Sequence, residues 1–321
     1  MSEDRIAMTR RAALGVSAGA GLTTLLAAHA SAAQEQLAGS SISPKLIERL
    51  KGVLGGADLA GLTDLMHPAV RTLAWTGADE LDAVGTAAYR DAYLAPYLSA
   101  NPDFRMTILK VLSNGTEIVA FYDVSATLDG HPSAWSGCNV YFTDGERITE
   151  QWIEQDLWWR SRRSPTVNSQ IMVENLERTF RPHTTAANLA GMGRFISYKN
   201  TMMLSAERVA GFVSLMAPDA VQTSWEPEGT ILLPDPKTIS AKFQDGLLNA
   251  IPDFWETVRR QVIIGNMLVL MQVPSGNLVL ANGGKRFCAW YNCDVFFFDK
   301  DRIKYILFQR DVMYDQSQTS I

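Results

Sequence analysis

The sequence predicts an α+β protein built from two copies of one domain. In each half of the chain, helical patterns come first and strand patterns follow, an order that is typical of α+β folds. A run of rare residue types also recurs in the same order in both halves. The chain has 321 residues, which exceeds what one hydrophobic core usually serves. Together these observations predict two similar domains, each with helices packed on an antiparallel sheet.

The repeat defines the domain boundaries. Residues 135–144 align with residues 290–299 at an offset of 290 − 135 = 155, and the Pro-Asp-Phe sequence at 102–104 recurs at 252–254 with an offset of 252 − 102 = 150. A small insertion at about 273–284 explains the change of offset. We therefore expect a first domain at residues 43–160, a connector at 161–186 and a second domain at 187–321.

The elements of each copy follow the same order. Helices are predicted at 44–54, 58–66, 85–99, 168–180, 205–216 and 237–249, and residues 187–203 are expected to begin the second copy. Ser43 and Ser205 occupy expected N-cap positions. A short strand is predicted near Trp75 and another near Trp225. Runs rich in Val, Ile, Tyr, Phe and Trp predict further strands at 106–112, 117–127, 133–142, 148–158, 257–272, 277–282, 286–299 and 303–313.

The first 32 residues are typical of a twin-arginine export signal. Arg10 and Arg11 precede a weakly apolar run rich in Gly and Ala, and Ala30-Ser31-Ala32 fits a small-residue cleavage site. An ordinary secretory signal is the alternative. The sequence thus predicts recognition by the twin-arginine export machinery and a periplasmic location.

Charge and composition argue against several functional classes. The formal net charge of −5 does not favour the phosphate backbone of nucleic acid. No run of about 18 apolar residues occurs after the N-terminal segment, so no membrane span is predicted. His67, His131 and His183 lack metal-ligand spacing, and no phosphate-binding glycine loop is present. Neither a metal nor a cofactor is expected.

The three cysteines are predicted to be buried, small apolar residues. Their odd number gives no complete disulfide framework. Cys288 and Cys293 are five residues apart on one predicted strand, so they face opposite sides of the sheet. This spacing argues against a bridge between them.

An ordered set of motifs in the first copy resembles a known family. The set comprises Asn101-Pro102-Asp103-Phe104, the turn Asp144-Gly145-Glu146-Arg147-Ile148, and then Glu150, Trp152 and Asp156. Residues 46–158 thereby resemble the SnoaL-like branch of the nuclear-transport-factor-2-like superfamily, and residues 204–314 resemble it more weakly. The resemblance implies cone-shaped domains, each with a pocket between the helices and a curved sheet. It also implies an intramolecular pseudo-dimer or a homo-oligomer, because relatives often pair through the outer sheet face.

The last strand of the first copy carries the candidate catalytic group. Alternation places five side chains on one face of this strand: Glu150, Trp152, Glu154, Asp156 and Trp158. The resemblance implies that the acid/base residue is Asp156, with Asp311 as its equivalent in the second copy. A carboxylate in an apolar pocket would suit proton transfer. The alternative is a carboxylate that caps a loop or pairs with an arginine.

Other side chains are candidates for ligand contacts. Tyr122 and Asp123 lie on opposite faces of one strand, and the one that points inward is expected to assist catalysis. Arg105 could hold a ligand carboxylate or form a surface ion pair, and His131 could cover the pocket mouth or lie on the surface. Trp135, Trp152 and Trp290 are expected to line the ligand pocket, and Trp75 and Trp225 to form its wall or part of the core.

Two functional hypotheses follow. The first is a cofactor-free enzyme of the isomerase, dehydratase, cyclase or lyase type, acting on a small apolar aromatic, terpenoid or polyketide molecule. The second is a non-catalytic periplasmic protein that binds small molecules or assists assembly. The fold alone does not separate them.

Overall fold

A computed structural model describes residues 43–56, 58–75, 80–101, 103–155, 166–167, 169–200, 206–226, 229–280, 282–289 and 291–310. The predicted export segment lies outside these ranges. The described residues form two sheets, each accompanied by helices, and the predicted α+β class is confirmed. None of the described helices is both long and apolar enough to cross a membrane.

The first domain begins with helix α1 (Pro44–Gly55), the short helix α2 (Leu59–Leu62) and a 3₁₀ turn. Helix α3 follows strand β2 and runs through Thr86–Tyr89, a π-helical segment Arg90–Leu94 and Ala95–Ala100. The six strands are β1 (Met66–Trp75), β2 (Glu80–Val84), β3 (Arg105–Ser113), β4 (Glu117–Leu128), β5 (His131–Thr143) and β6 (Ile148–Gln155). Their order in the sheet is β2-β1-β6-β5-β4-β3, and only the β1–β6 pair is parallel.

Helices α4 (Gln170–Thr179) and α5 (Ala186–Asn200) lead into the second sheet. Helix α6 (Ala206–Ser214) precedes β7, and α7 (Pro236–Lys242) continues into a second π-helical segment, Phe243–Leu248. The strands are β7 (Met216–Glu226), β8 (Gly229–Leu233), β9 (Trp255–Ile264), β10 (Met267–Val279), β11 (Lys285–Ala289), β12 (Asn292–Asp299) and β13 (Arg302–Arg310). Their order, β8-β7-β13-β12-β10 with β9 and β11 beside β10, repeats that of the first sheet.

The Pro-Asp-Phe turns perform the same structural task in both copies. Asp103 accepts hydrogen bonds from the backbone nitrogen and hydroxyl of Thr127, both at 2.6 Å. Asp253 accepts from the backbone nitrogen of Asn277 at 2.6 Å and also contacts its side-chain amide. These bonds lower the pKa of the Asp103 carboxyl, and the pKa of Asp253 is likewise lowered despite partial burial. The motif therefore fixes the turn to the long strand beside it.

The predicted insertion lies at the end of one hairpin. Thr127 pairs with Pro132 in the first sheet, whereas the equivalent Asn277 pairs with Phe287 in the second. Thr127 and Asn277 differ by 150 in residue number, whereas their partners Pro132 and Phe287 differ by 155. The β10–β11 hairpin is therefore five residues longer than the corresponding hairpin of the first sheet. This is within the stretch that the change of offset indicated.

Several predicted elements were wrong in detail. The expected strand at 257–272 is two strands, because Gly265 adopts a φ of 59° and turns the chain. A Cβ at Gly265 would lie 2.0 Å from the carbonyl oxygen of Arg181, so only glycine fits there. The predicted 277–282 strand is the end of β10 and its turn, and the predicted 286–299 strand is divided into β11 and β12. Ser43 makes no side-chain cap, although Pro44 is the first helical residue as expected.

The outer faces of the two sheets pack against each other. Their shared apolar core contains Val119, Phe121 and Val140 from the first sheet and Val269 and Val295 from the second. Helix α4 adds Met172 and Leu176 to the same core. Two further cores lie on the opposite sheet faces, beneath the helices of each domain. One chain therefore buries both outer sheet faces within itself.

Candidate functional site

Strand β6 places its charged face between the two sheets. Glu150, Trp152 and Glu154 share one face, as alternation predicts. Their cross-strand partners include Val140 and Cys138, which belong to the core between the sheets. The expectation that Trp152 lines the pocket of the first domain was therefore wrong.

Two contacts hold this face in place. The indole of Trp152 packs edge-on against Tyr291 of the second domain, with ring centroids 5.6 Å apart. Glu150 accepts hydrogen bonds from Arg260 Nη2 at 2.9 Å and Nε at 3.1 Å, and from Trp152 Nε1 at 2.8 Å. Glu150 is thus a carboxylate tied to an arginine across the domain interface. Asp156, the expected catalytic group, lies outside the described residues, as do Trp158, Trp290 and Asp311.

The interior of the first domain holds a network of neutral side chains. Gln155 Oε1 accepts hydrogen bonds from Tyr97 and from the indole of Trp135, both at 3.0 Å. Tyr122 donates to Asn139 Oδ1 at 2.8 Å, and Asn139 Nδ2 donates to the Tyr141 hydroxyl at 2.8 Å. Burial raises the pKa of Tyr122 well above its ordinary value and also raises that of Tyr141. Both phenols are therefore held in the neutral form.

Aromatic rings fill the same interior. Tyr89, Tyr93 and Tyr97 stack along helix α3, with successive centroids 5.9 and 5.6 Å apart. The ring of Tyr122 lies directly over Gly137, where an added Cβ would come within 2.5 Å of it. Trp135 and Tyr122 are fully buried. The described side chains thus pack this interior closely, and Tyr122 is the member of the Tyr122–Asp123 pair that points inward.

The interior of the second domain holds charges instead. Lys199 on α5 forms an ion pair with Glu256 on β9, and both side chains are almost fully buried. Gln272 Nε2 donates to Glu256 Oε1 at 3.0 Å and also contacts a carboxylate oxygen of Asp294. Asn292 Nδ2 donates to the other Asp294 oxygen at 2.8 Å. One lysine and two carboxylates are thereby linked through the amide of Gln272, and a second amide, that of Asn292, binds Asp294.

Asp294 lies among apolar neighbours on the inner face of the second sheet. It is 1% exposed and pairs across strands with Leu270, a member of the core under the helices. The Lys199 ammonium lies 5.7 Å from the ring centre of Phe195 and 5.9 Å from that of Phe296. Buried charges are costly unless they are paired and hydrogen-bonded. Such a cluster in an apolar interior is a candidate functional site.

Four amide atoms around this cluster have no hydrogen-bond partner within the described part of the chain. They are Gln272 Oε1, Asn292 Oδ1 and both polar atoms of Gln222. The amide nitrogens of Gln272 and Asn292 are engaged by carboxylates, so their oxygens are fixed as acceptors. Gln222 is 1% exposed and lies on strand β7 of the same sheet. The oxygens of Gln272 and Asn292 are therefore buried acceptors that no described side chain engages.

At corresponding inward positions, the two copies carry side chains that differ in charge or in size. At an offset of 155, Asn139 corresponds to Asp294 and Gly137 to Asn292; at an offset of 150, Tyr122 corresponds to Gln272. Register confirms the match, since Tyr122 pairs with Gly137 and Gln272 pairs with Asn292. The alignment of the two copies already showed this difference, because it places Asp294 opposite Asn139. It could not show that both side chains point inward.

The remaining candidates whose side chains are described lie away from both interiors. Asp123 is on the outer face, where it accepts hydrogen bonds from Ser136 at 2.7 Å and Ser169 at 2.6 Å, and desolvation raises its pKa. Arg105 and His131 are exposed at the beginnings of their strands. The strands near Trp75 and Trp225 exist and are longer than expected, but these two side chains lie outside the described set. No group of three or more metal-ligand side chains occurs among the described residues.

Comparison with known proteins identifies one domain. Residues 47–151 match the family described as SnoaL-like domain, so the first domain is SnoaL-like. No curated protein matches the chain. Among solved structures, the chain is similar to a phenazine biosynthesis-related protein from Pseudomonas aeruginosa, which is 13% identical, with a TM-score of 0.37 over 46% of this chain and 93% of that one.

Two further solved structures are similar over one domain. A proposed SnoaL-like polyketide cyclase from Jannaschia sp. CCS1 is 14% identical over 40% of this chain and 96% of its own, with a TM-score of 0.34. A proposed polyketide cyclase from Acidithiobacillus ferrooxidans is 23% identical over 38% of this chain and 95% of its own, with a TM-score of 0.31.

Proposed function

We propose that the chain is a cofactor-free acid/base enzyme whose reacting centre lies in the second domain. The observation that carries this proposal is the buried cluster of Asp294, Gln272, Glu256 and Lys199 on the inner sheet face. The fold does not need carboxylates at the positions of Asp294 and Glu256, because the first domain has the neutral residues Asn139 and Met106 at the equivalent positions. The charges therefore favour a chemical role over a packing role.

The arrangement suits proton transfer to and from carbon or oxygen. Asp294 is the proton acceptor or donor, held in one orientation by the amides of Gln272 and Asn292. Lys199 supplies positive charge in the same cluster, which would stabilise an enolate or alkoxide oxygen as negative charge develops. The reaction class is isomerisation, dehydration, cyclisation or lyase cleavage beside a carbonyl or hydroxyl group.

The walls and the unpaired acceptors define the substrate class. Phe195, Phe296 and Leu270 favour a mostly apolar molecule of the aromatic, terpenoid or polyketide type. The fixed acceptors Gln272 Oε1 and Asn292 Oδ1 favour a molecule that donates hydrogen bonds. We therefore propose a small apolar substrate that carries hydroxyl groups.

Product formation tests the proposal. The protein is incubated with a library of hydroxylated aromatic and terpenoid compounds, and the mixtures are analysed by liquid chromatography–mass spectrometry. Asp294→Asn is expected to reduce the rate by about 10²-fold or more, the usual contribution of a positioned acid or base. Asp299→Asn, an exposed position on the same strand, is the matched control and should retain activity.

An Asp156→Asn variant separates the two domains as possible sites. Loss of product only in Asp294→Asn supports a site in the second domain. Loss only in Asp156→Asn would move the site to the first domain and refute our assignment. Compounds that are retained without conversion by every variant would establish a binding protein instead.

We also propose that the chain is exported by the twin-arginine route to the periplasm, on the basis of Arg10 and Arg11 and the apolar run after them. Replacing both arginines by lysine should abolish export, whereas Arg5→Lys should not affect it. Equal export in cells that lack the twin-arginine machinery would refute the proposal.

A further inference from the structure

Two cysteines meet where the two sheets pack together. Cys138 on β5 and Cys293 on β12 are equivalent positions of the repeat, and both point to the outer sheet face. Their Sγ atoms are 3.9 Å apart, and both side chains are buried. When equivalent residues of two copies contact each other, they lie on the axis that relates the copies. The contact is therefore a symmetric feature of the domain pair.

We propose that Cys138 and Cys293 are a modification site, at which oxidation forms a disulfide between the two domains. A disulfide has an S–S distance of about 2.0 Å, so the two sulfur atoms must approach each other by about 2 Å. A cavity of about 10 Å³ adjoins both cysteines and is also lined by Val140 and the flexible side chain of Met271. It leaves room for the two side chains to rotate toward each other.

The chemistry requires an oxidant of the disulfide class. The Cys138 and Cys293 thiols lose two protons and two electrons as their S–S bond forms, and these convert one small-molecule disulfide into two thiols. Exchange begins with a thiolate. The hydrogen bond that Cys293 donates to Cys138, together with burial, raises the pKa of Cys293 in the closed interface. Oxidation is thus favoured while the sheets come together during folding, and the finished bond is shielded from reductants.

The third cysteine is spatially separate from this pair. Cys288 is buried in a different apolar cluster with Ile251, Phe254 and Leu278. Its thiol contacts the carbonyl oxygen of Gly276 at 3.5 Å. Since Cys288 provides a thiol in the same chain that should remain reduced, it is an internal control.

The cross-link would fix the strand that carries the candidate site. Cys293 stands between Asn292 and Asp294, whose side chains point to the opposite face. The bond would also close a very long loop, and this constrains the unfolded chain strongly. Oxidised protein is therefore expected to unfold about 10 °C higher than reduced protein. This inference is independent of the proposed reaction.

Thiol counting tests the inference. The full chain is refolded in mixtures of reduced and oxidised glutathione, and the reaction is quenched with acid. Free thiols are then alkylated under denaturing conditions and counted from the protein mass measured by mass spectrometry. The folded protein is treated in the same mixtures in parallel. In wild type, one thiol is expected to react after oxidation, and peptide mapping should place it at Cys288.

Three variants make the result specific. Cys288→Ser should keep the cross-link and leave no reactive thiol. Cys138→Ser and Cys293→Ser should each lose the cross-link and the gain in thermal midpoint. Three reactive thiols in wild type under both protocols, or a bridge that includes Cys288, would overturn the inference.

Discussion

The two domains share a scaffold but differ in the charge of their interiors. Strand order, the π-helical segments and the aspartate-anchored turns recur in both copies. Among the described residues, the first interior holds a neutral network around Tyr122 and Asn139, whereas the second holds Asp294, Glu256 and a buried lysine. A few inward positions therefore changed the chemistry of the interior without changing the fold.

The substitutions are physically coupled. In the first copy, Gly137 leaves space for the ring of Tyr122 on the neighbouring strand. In the second copy, the smaller Gln272 stands opposite Asn292, and both amides engage Asp294. A carboxylate at this position needs hydrogen-bond donors beside it, because an unpaired buried charge is strongly destabilising. In each copy, the side chains at these three positions therefore fit one another.

The largest effect is expected when the charged interior loses its cation. Lys199→Met leaves Glu256 buried without its ion-pair partner, which should lower the free energy of unfolding by about 3–5 kcal/mol. Arg194→Met is the control on the same helix, because its pair with Asp301 is half-exposed and should contribute about 1 kcal/mol or less. Denaturant titration measures both. Equal effects would show that the cluster is not more costly to disrupt than a surface pair.

A smaller effect is expected when one second-domain residue is placed in the first domain. Gly137→Asn forces a side chain against the ring of Tyr122 and should destabilise the protein by about 1–3 kcal/mol. Adding Tyr122→Gln recreates the pair found at 272 and 292 and should restore part of this loss. A double-mutant cycle measures the coupling. Strictly additive effects would refute the idea that the side chains at the two positions fit one another.

The turn aspartates should behave alike in both domains. The pKa values of Asp103 and Asp253 are lowered in the folded state, so each carboxylate stabilises the protein above its unfolded pKa of 3.8. This stability is lost as pH falls through the lower folded pKa. The free energies of unfolding of Asp103→Asn and Asp253→Asn should therefore differ most from that of wild type near neutral pH and least in acid. Unfolding followed from pH 2 to 6 tests this, and opposite trends in the two variants would contradict it.

Asp123 should show the reverse dependence. Its pKa is raised in the folded state by desolvation, so the protonated form is favoured and stability declines as pH rises from 3.8 through the folded value. Relative to wild type, Asp123→Asn should gain stability over that interval while its side-chain oxygen still accepts from Ser136 and Ser169. The expected change is the smallest of the set, since both serines already stabilise the ionised form. If the difference in stability between Asp123→Asn and wild type were the same at every pH, this prediction would be wrong.

The sequence alone determined the fold class and most element positions, and it predicted a duplication with which the matching strand orders of the two sheets agree. Helical and alternating patterns are local properties, and the rare residues of the repeat are conspicuous in a linear comparison. The alternation rule also predicted correctly that Glu150, Trp152 and Glu154 share a face, and that Tyr122 and Asp123 do not. These results depend only on backbone geometry, which neighbouring residues specify.

Only the tertiary structure decided which face became the interior. Trp152 lies between the sheets and Asp294 beneath the helices, although both occupy strands with similar patterns of apolar residues. Each sheet is covered on both faces, by helices on one side and by the other sheet on the opposite side. Apolar patterning therefore cannot distinguish the two faces. The packing of one sheet against the other made the distinction, because contacts between distant segments depend on how the whole chain folds.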